Sequence, residues 1–192
     1  SPLKAMSFQQ QLDAMREQNA QGANIMAQIS MRGTGLILGW QASFHPFSQK
    51  PSWQAIADLP WEQQYARLSD PDFRSQLIAE DSLPADGDLQ LLADLLTAAF
   101  QMQYEMPEDF DYEPTAENSI AARAEAAGIS PAEYAYEVLM RGEGTGFIYF
   151  PLLNYSDGNL DFLEPVLRSE DCVNSLSDGG AHCGTICDAA AP

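Results

Sequence analysis

The sequence predicts an α/β fold, namely part of a parallel α/β barrel that carries a mostly helical insertion. A short strand (23–30) follows a helix across a tight glycine turn, which is half of a βαβ unit. A second strand (173–177) follows a short helix, and the long stretch between the two strands lacks strand–helix alternation. We therefore expect residues 1–33 to be a barrel βα unit, 34–145 the helical, lid-like insertion, and 146–192 the final barrel strands.

Composition restricts the possible partners. The 192 residues include 28 acidic and 9 basic side chains, for a formal charge of −19, which disfavours nucleic acids and anionic membranes as partners. No apolar run approaches the roughly 20 residues of a spanning helix, and the first residues do not resemble a signal peptide. With only three cysteines, clustered at 172–187, reduced thiols and a cytoplasmic location are expected.

The first barrel unit is predicted from local signals. Ser7 and Gln10 form a capping-box pattern, and Phe8, Leu12 and Met15 then share one helical face until Gly22 ends the helix. The strand that follows alternates apolar and polar residues and continues towards Arg32, whose side chain could face the cleft.

The insertion shows repeated helix signals. Asp70 and Pro71 are typical of a helix start, residues 89–100 form an apolar helix, and residues 116–127 form another. Ser130, Pro131 and Glu133 combine a capping box with proline at the first helical position, and this helix is expected to end at Gly142. The acid-rich segment 105–113 lacks the glycine of a calcium loop, so it is interpreted as a solvated surface loop.

An aromatic segment (40–47) follows a glycine-rich stretch, and two interpretations stay open. Its rings could line or cover a cleft, or they could simply pack on the core of the insertion.

Asp178 is the strongest candidate for a catalytic residue. It directly follows the predicted strand 173–177. Gly179 and Gly180 come next and turn the chain, and because they have no side chains they leave space around the carboxylate. A parallel barrel places its catalytic groups at the carboxyl ends of its strands. An ordinary Asp-Gly-Gly turn is the alternative.

Four segments together carry a resemblance to a known family. They are HPF (45–47), YEPTAENSIAARA (112–124), NYSDG (154–158) and SDGGAHCGTICDAA (177–190). With them the chain resembles the D-aminoacylase branch of the amidohydrolase superfamily, which includes the N-acyl-D-amino-acid deacylases. The resemblance covers most of the chain and implies the last strands of a metal-dependent (β/α)8 barrel. It also implies hydrolysis of the amide bond of N-acyl amino acids, a small-molecule substrate class.

The resemblance implies specific roles for individual residues. Asp178 matches the aspartate that contacts the metal and acts as base for the attacking water. Bound Zn²⁺ lowers the pKa of its water towards ~7, so a neighbouring carboxylate can take the remaining proton and pass it to the leaving amine. Lys4 matches the lysine that holds the substrate carboxylate. His182 is either a substrate-binding or supporting group near Asp178, or an imidazole packed against the following helix.

The chain also departs from the family. It has two histidines, His45 and His182, and no His-x-His pair, so one aspartate cannot complete a zinc site that takes three or four protein ligands. We expect the parent to be a metal-dependent hydrolase with one or two zinc ions, and this chain alone to be inactive. The first residue is not methionine and both ends look cut, which suggests a segment of a longer polypeptide.

Two other classes compete with this interpretation. Asp178, His182, Cys183 and Cys187 could form a self-contained zinc site, although structural sites favour two separated ligand pairs. Alternatively, the chain is a non-enzymatic helical interaction module. For a partial barrel, the strand edges and apolar faces left by missing barrel strands predict that the isolated chain forms a homo-oligomer.

Overall fold

The computed structural model describes residues 8–155, 157–174, 180–182 and 185–188, the last two segments as backbone. Within these residues the fold is mixed α/β, with eight α-helices and two small sheets, and no closed barrel is formed. The α/β class is therefore confirmed at this level. Asp178 and Lys4 lie outside the described residues.

The helices follow the predicted signals closely. Ser130 and Glu133 form the predicted capping box, and the Asp70 carboxylate accepts the Asp72 N–H at 2.9 Å. The helix after Ser130 leaves helical geometry at Arg141, with φ of 56° at Gly142, as predicted. The eight helices are α1 (Phe8–Ala20), α2 (Pro51–Gln54), α3 (Trp61–Leu68), α4 (Pro71–Ala79), α5 (Asp88–Ala98), α6 (Ile120–Ala127), α7 (Pro131–Gly144) and α8 (Leu163–Leu167).

Seven strands form the two sheets. They are β1 (Ala27–Ile29), β2 (Thr34–Leu38), β3 (Tyr104–Glu105), β4 (Ile148–Leu153), β5 (Cys172–Asn174), β6 (Gly180–His182) and β7 (Thr185–Asp188). Strands β1 and β5 pair in parallel, whereas the other five form an antiparallel sheet in the order β3-β4-β2-β7-β6.

The antiparallel sheet differs from what the sequence suggested for its two central strands. Residues 34–38 were assigned to a helical insertion, and 146–150 to a barrel strand. Yet β2 and β4 pair directly, with Leu36 opposite Phe150 and Leu38 opposite Ile148. Gly35 permits this approach, because a Cβ there would lie 2.5 Å from the Phe150 carbonyl oxygen. The sheet thus combines β2 and β3 of the predicted insertion with β4, β6 and β7, which come from residues 146–192. These three strands were expected to belong to the barrel, and they lie instead in the antiparallel sheet.

The largest core lies between this sheet and the helices of the insertion. Trp40 and Phe47 are 2% and 1% exposed, and Trp40 packs against Trp53 and Tyr136 with ring centroids 5.2 and 5.3 Å apart. The packing interpretation of the aromatic segment 40–47 is therefore confirmed for these two rings, because burying them removes large apolar areas from water.

The parallel pair has a separate, small core. Its buried side chains, which pack between β1 and α8, are Ile29, Leu163 and Val166. Helix α1 is tied to this unit by Asn19, whose amide exchanges two hydrogen bonds of 2.8 Å with the backbone of Ile25, and by Arg16, which pairs with Asp171 at 2.8 Å. Helix, glycine turn and strand are thus assembled as the sequence predicted.

None of the helices in the described part of the chain is both long and apolar enough to cross a membrane.

Candidate functional site

The carboxyl ends of β1 and β5 lie side by side and define the candidate site. Ala27 is paired with Cys172 and Ile29 with Asn174, in parallel register. Both strands therefore finish at the same edge, and Asp178 follows Asn174 by four positions. The carboxyl edge of adjacent parallel strands is where α/β folds assemble their sites.

The predicted site residues are only partly covered by the structure. Asp178 and Lys4 lie outside the described residues, as does Cys183 of the alternative zinc site. His182 ends β6, where its backbone pairs with Thr185, and Cys187 lies on β7 opposite Gly180. The helix expected after His182 is wrong for residues 185–188, which form strand β7. The roles assigned to these side chains therefore stay predictions.

Arg32 is a residue of this region to which the sequence gave no role. It follows β1 by three positions, is half-buried, and places its guanidinium 4.1 Å from the centroid of the Tyr112 ring. A guanidinium over an aromatic face is attracted by the ring quadrupole. The contact joins the exit of β1 to the acid-rich segment 105–113.

That acid-rich segment is more than the solvated loop predicted from its charges. Its carboxylate residues Glu108, Asp109 and Asp111 are exposed, but Phe110 and Tyr112 pack edge-on against Tyr149 at 5.3 and 5.7 Å. The loop interpretation was thus right for these three acids. It was wrong for Glu105, which lies on β3 and pairs with Arg141, and for the aromatic rings, since two rings between charges still bury apolar area.

Tyrosine hydroxyls fix the backbone around this contact. Tyr149 donates to the Gly33 carbonyl at 3.0 Å, and Tyr155 donates to the Pro114 carbonyl at 2.8 Å. Burial, with a smaller contribution from Tyr104, Glu113 and Asp111, raises the pKa of Tyr155 to about 12. Tyr155 therefore remains a protonated donor at neutral pH and serves the structure rather than proton transfer.

His45, the other histidine of the chain, is a core residue. It is 1% exposed, its Nδ1 accepts the Phe47 N–H at 3.2 Å, and its ring meets Trp53 edge-on at 4.4 Å. Burial lowers the pKa of His45 to about 3, so the imidazole is neutral at physiological pH. The HPF segment that contributed to the family resemblance is thus part of the insertion's core.

The described residues do not by themselves fit a zinc centre. No group of three or more histidine, cysteine, aspartate or glutamate side chains able to hold a metal ion is found among them. Zinc sites take three or four protein ligands, so a single carboxylate from Asp178 could contribute to such a centre but not form it.

Comparison of the chain with protein-family models, with curated proteins and with solved structures gave no match. The function is therefore argued from the strand arrangement and from the chemistry of the residues at its edge.

Proposed function

We propose that this chain supplies the last strands of a metal-dependent amidohydrolase barrel, with Asp178 as metal ligand and base. The substrate class is N-acyl amino acids, D-isomers in particular, or related amides, with Lys4 and His182 contacting the substrate. One observation carries the proposal: β1 and β5 pair in parallel, and in the sequence the Ser-Asp-Gly motif begins at Ser177, three positions after the last residue of β5. Two neighbouring barrel strands have this relation.

The exposed surface of the parallel pair supports a larger parallel sheet. Parallel sheets are normally covered on both faces and consist of more than two strands. Here Val173 on β5 is 39% exposed, and Ile25 and Met26 just before β1 are 45% and 49% exposed. Further strands and helices of a barrel would cover these side chains.

The chain alone is expected to be inactive, because its sequence has only two histidines and no His-x-His pair to complete a metal centre with Asp178. The metal chemistry belongs to the assembled barrel. In the assembled barrel, this chain would contribute the Asp178 carboxylate to the metal centre, and Lys4 and His182 to substrate binding.

The test compares the complete polypeptide of the reading frame with the isolated 192-residue chain. Hydrolysis of N-acetyl-D-amino acids and their L-isomers is measured with Zn²⁺ present. The complete polypeptide is expected to be active, and Asp178→Asn to lower its kcat/KM about 10³-fold, within the range for loss of a catalytic base. Asp58→Asn, at an exposed position in the insertion, is the matched control and should leave kcat/KM unchanged.

Two results would contradict the proposal. One is full activity of the Asp178→Asn variant. The other is the absence of amide hydrolysis by the folded complete polypeptide with zinc, manganese or cobalt.

The second candidate is a non-enzymatic helical interaction module. It is favoured by the self-contained core between Leu36 and Phe150, which includes no residue of β1 or β5. A folded complete polypeptide that binds no zinc and hydrolyses no amide would support it, and zinc-dependent hydrolysis would exclude it.

A further inference from the structure

All three tryptophans of the chain line one surface cleft of the insertion. Trp40 follows β2, Trp53 lies on α2 and Trp61 begins α3. The cleft has a volume of about 460 Å³, within the range of roughly 300–1,000 Å³ found for small-molecule sites. Trp40 and Trp53 are buried, whereas Trp61 is only partly buried.

The cleft is polar but uncharged. Besides the tryptophans it is lined by glutamine, serine and alanine, and no charged side chain lines it among the described residues, although 19% of the sequence is charged. The polar lining residues are Gln41, Ser43, Ser48, Gln49, Gln54 and Gln64.

The charged residues next to the lining residues in sequence are Lys50, Asp58 and Glu62. Asp58 and Glu62 are exposed, and Lys50 is engaged with the backbone. Lys50 donates through Nζ to the Glu80 carbonyl, and the Glu80 carboxylate accepts the backbone N–H and the hydroxyl of Ser52, both at 2.8 Å. An ionic ligand in the cleft would lose hydration without gaining a charged partner from its walls.

The polar walls are held in place. The Gln64 side-chain amide donates to the carbonyls of Ala57 and Leu59 at 2.7 and 2.9 Å, and that of Gln54 donates to the Ser48 carbonyl at 2.6 Å. The indole N–H of Trp40 is buried and has no hydrogen-bond partner within the described part of the chain. Buried donors are nearly always paired, so this one calls for an acceptor.

We propose that this cleft binds a neutral saccharide. A sugar ring presents C–H groups that pack on an indole face and hydroxyls that both donate to and accept from amide groups. The absence of charged wall residues selects against sugar acids and amino sugars, and the chain's net charge of −19 disfavours anions further. This site is independent of Asp178 and of the amidohydrolase proposal.

The test uses the intrinsic fluorescence of the full chain, because every tryptophan that could report lies in the cleft. Glucose, N-acetylglucosamine and cellobiose are titrated, with glucuronate and glucosamine as charged counterparts, and binding is confirmed by calorimetry. At least one neutral sugar is expected to give a saturable change with Kd of about 1 mM or lower. The charged counterpart of that sugar should bind at least about tenfold more weakly.

Variants locate the binding site. Trp61→Ala removes the partly exposed indole and should weaken binding about tenfold by calorimetry. Gln41→Ala removes an exposed amide of the cleft and should weaken it a few-fold, whereas Gln63→Ala, an exposed glutamine of α3 outside the cleft, should not change Kd. Circular dichroism checks that each variant is folded. If Trp61→Ala unfolds the chain, the test is the comparison of Kd between the Gln41→Ala and Gln63→Ala variants.

Three outcomes would overturn the proposal: no saturable response to any neutral sugar at about 50 mM, far above a millimolar Kd; equal affinity in the wild type and both cleft variants; or equal binding of charged and neutral sugars.

Discussion

His45 shows how a single residue in this molecule can couple stability to pH. Its ring is enclosed by Trp40 at 4.8 Å and Trp53 at 4.4 Å, and its Nδ1 accepts a backbone N–H. Burial lowers its pKa from 6.5 to about 3, so the folded state disfavours the charged imidazole that the unfolded chain readily forms.

The sign of the pH effect follows from the direction of that shift. Above pH 6.5 both states hold a neutral imidazole, and between pH 6.5 and 3 the unfolded state binds the additional proton. Lowering the pH from 6.5 to 5 should therefore reduce the free energy of unfolding through His45 by about 1.5 kcal/mol. Urea unfolding at a series of pH values measures this loss.

The matched variant is His45→Asn, whose side-chain oxygen can keep the acceptor for the Phe47 N–H while removing the titration. The variant starts less stable, but its free energy of unfolding should fall less steeply over the same pH range. Parallel pH profiles for the wild type and the variant would show that His45 is not the group responsible. Comparing slopes removes the effect of the acidic residues, which both proteins share.

For individual residues, the sequence predicted contacts between near neighbours in the chain and missed contacts between distant residues. The capping pair Ser130 and Glu133 and the Asp70 cap were identified because both partners lie within three residues. The stacking of Arg32 on Tyr112 joins residues far apart in the chain, and nothing in either local sequence indicates it. Asp178 was singled out by its motif and stays a prediction.

At the scale of elements, helix positions were predicted well and strand partners were not. Helical periodicity and caps are local, whereas a strand's partner depends on the whole chain. Residues 146–150 read correctly as a strand, but their pairing with β2 across the insertion could not be derived from their composition. The parallel pair β1 and β5 agrees with the expected order of strands, and the barrel itself stays a proposal.

Gly146 controls how closely helix α7 approaches strand β4. An added Cβ at Gly146 would lie 1.9 Å from the Val138 carbonyl oxygen, which belongs to the helix backbone and cannot rotate away. Gly146→Ala must therefore separate the two elements at the edge of the main core. We expect the free energy of unfolding to fall by about 3 kcal/mol or more, which is the upper part of the range for substitutions that overpack a core.

Gly128→Ala is the control for this prediction. Gly128 has a φ of 71° at the end of α6, and an added Cβ there would meet no atom within 4 Å. Only backbone strain results, so the expected loss is about 1 kcal/mol. Denaturant unfolding measures both variants, and equal losses would mean that the approach of α7 to β4 relaxes at little cost.

Two features of the whole molecule determine whether it self-associates: its high negative charge and its incomplete parallel sheet. The chain carries −19 net charge, which opposes self-association at low salt. Strand β5 is paired on one side by β1, and within the described residues its other edge has no partner strand. An open edge with an exposed apolar residue, Val173, is a template for pairing with another chain.

We therefore expect the isolated chain to form dimers or larger oligomers through this edge, and more so at higher salt, because salt screens the repulsion between acidic chains. Sedimentation velocity over a range of protein and salt concentrations measures the effect.

Val173→Lys, which places a charge on the edge strand, should shift the chain towards monomer. Leu91→Lys makes the same charge change at a 67% exposed position on α5 and should leave the oligomer intact. A monomer at every concentration would contradict the prediction, and dissociation by Leu91→Lys alone would assign the contact to α5 instead.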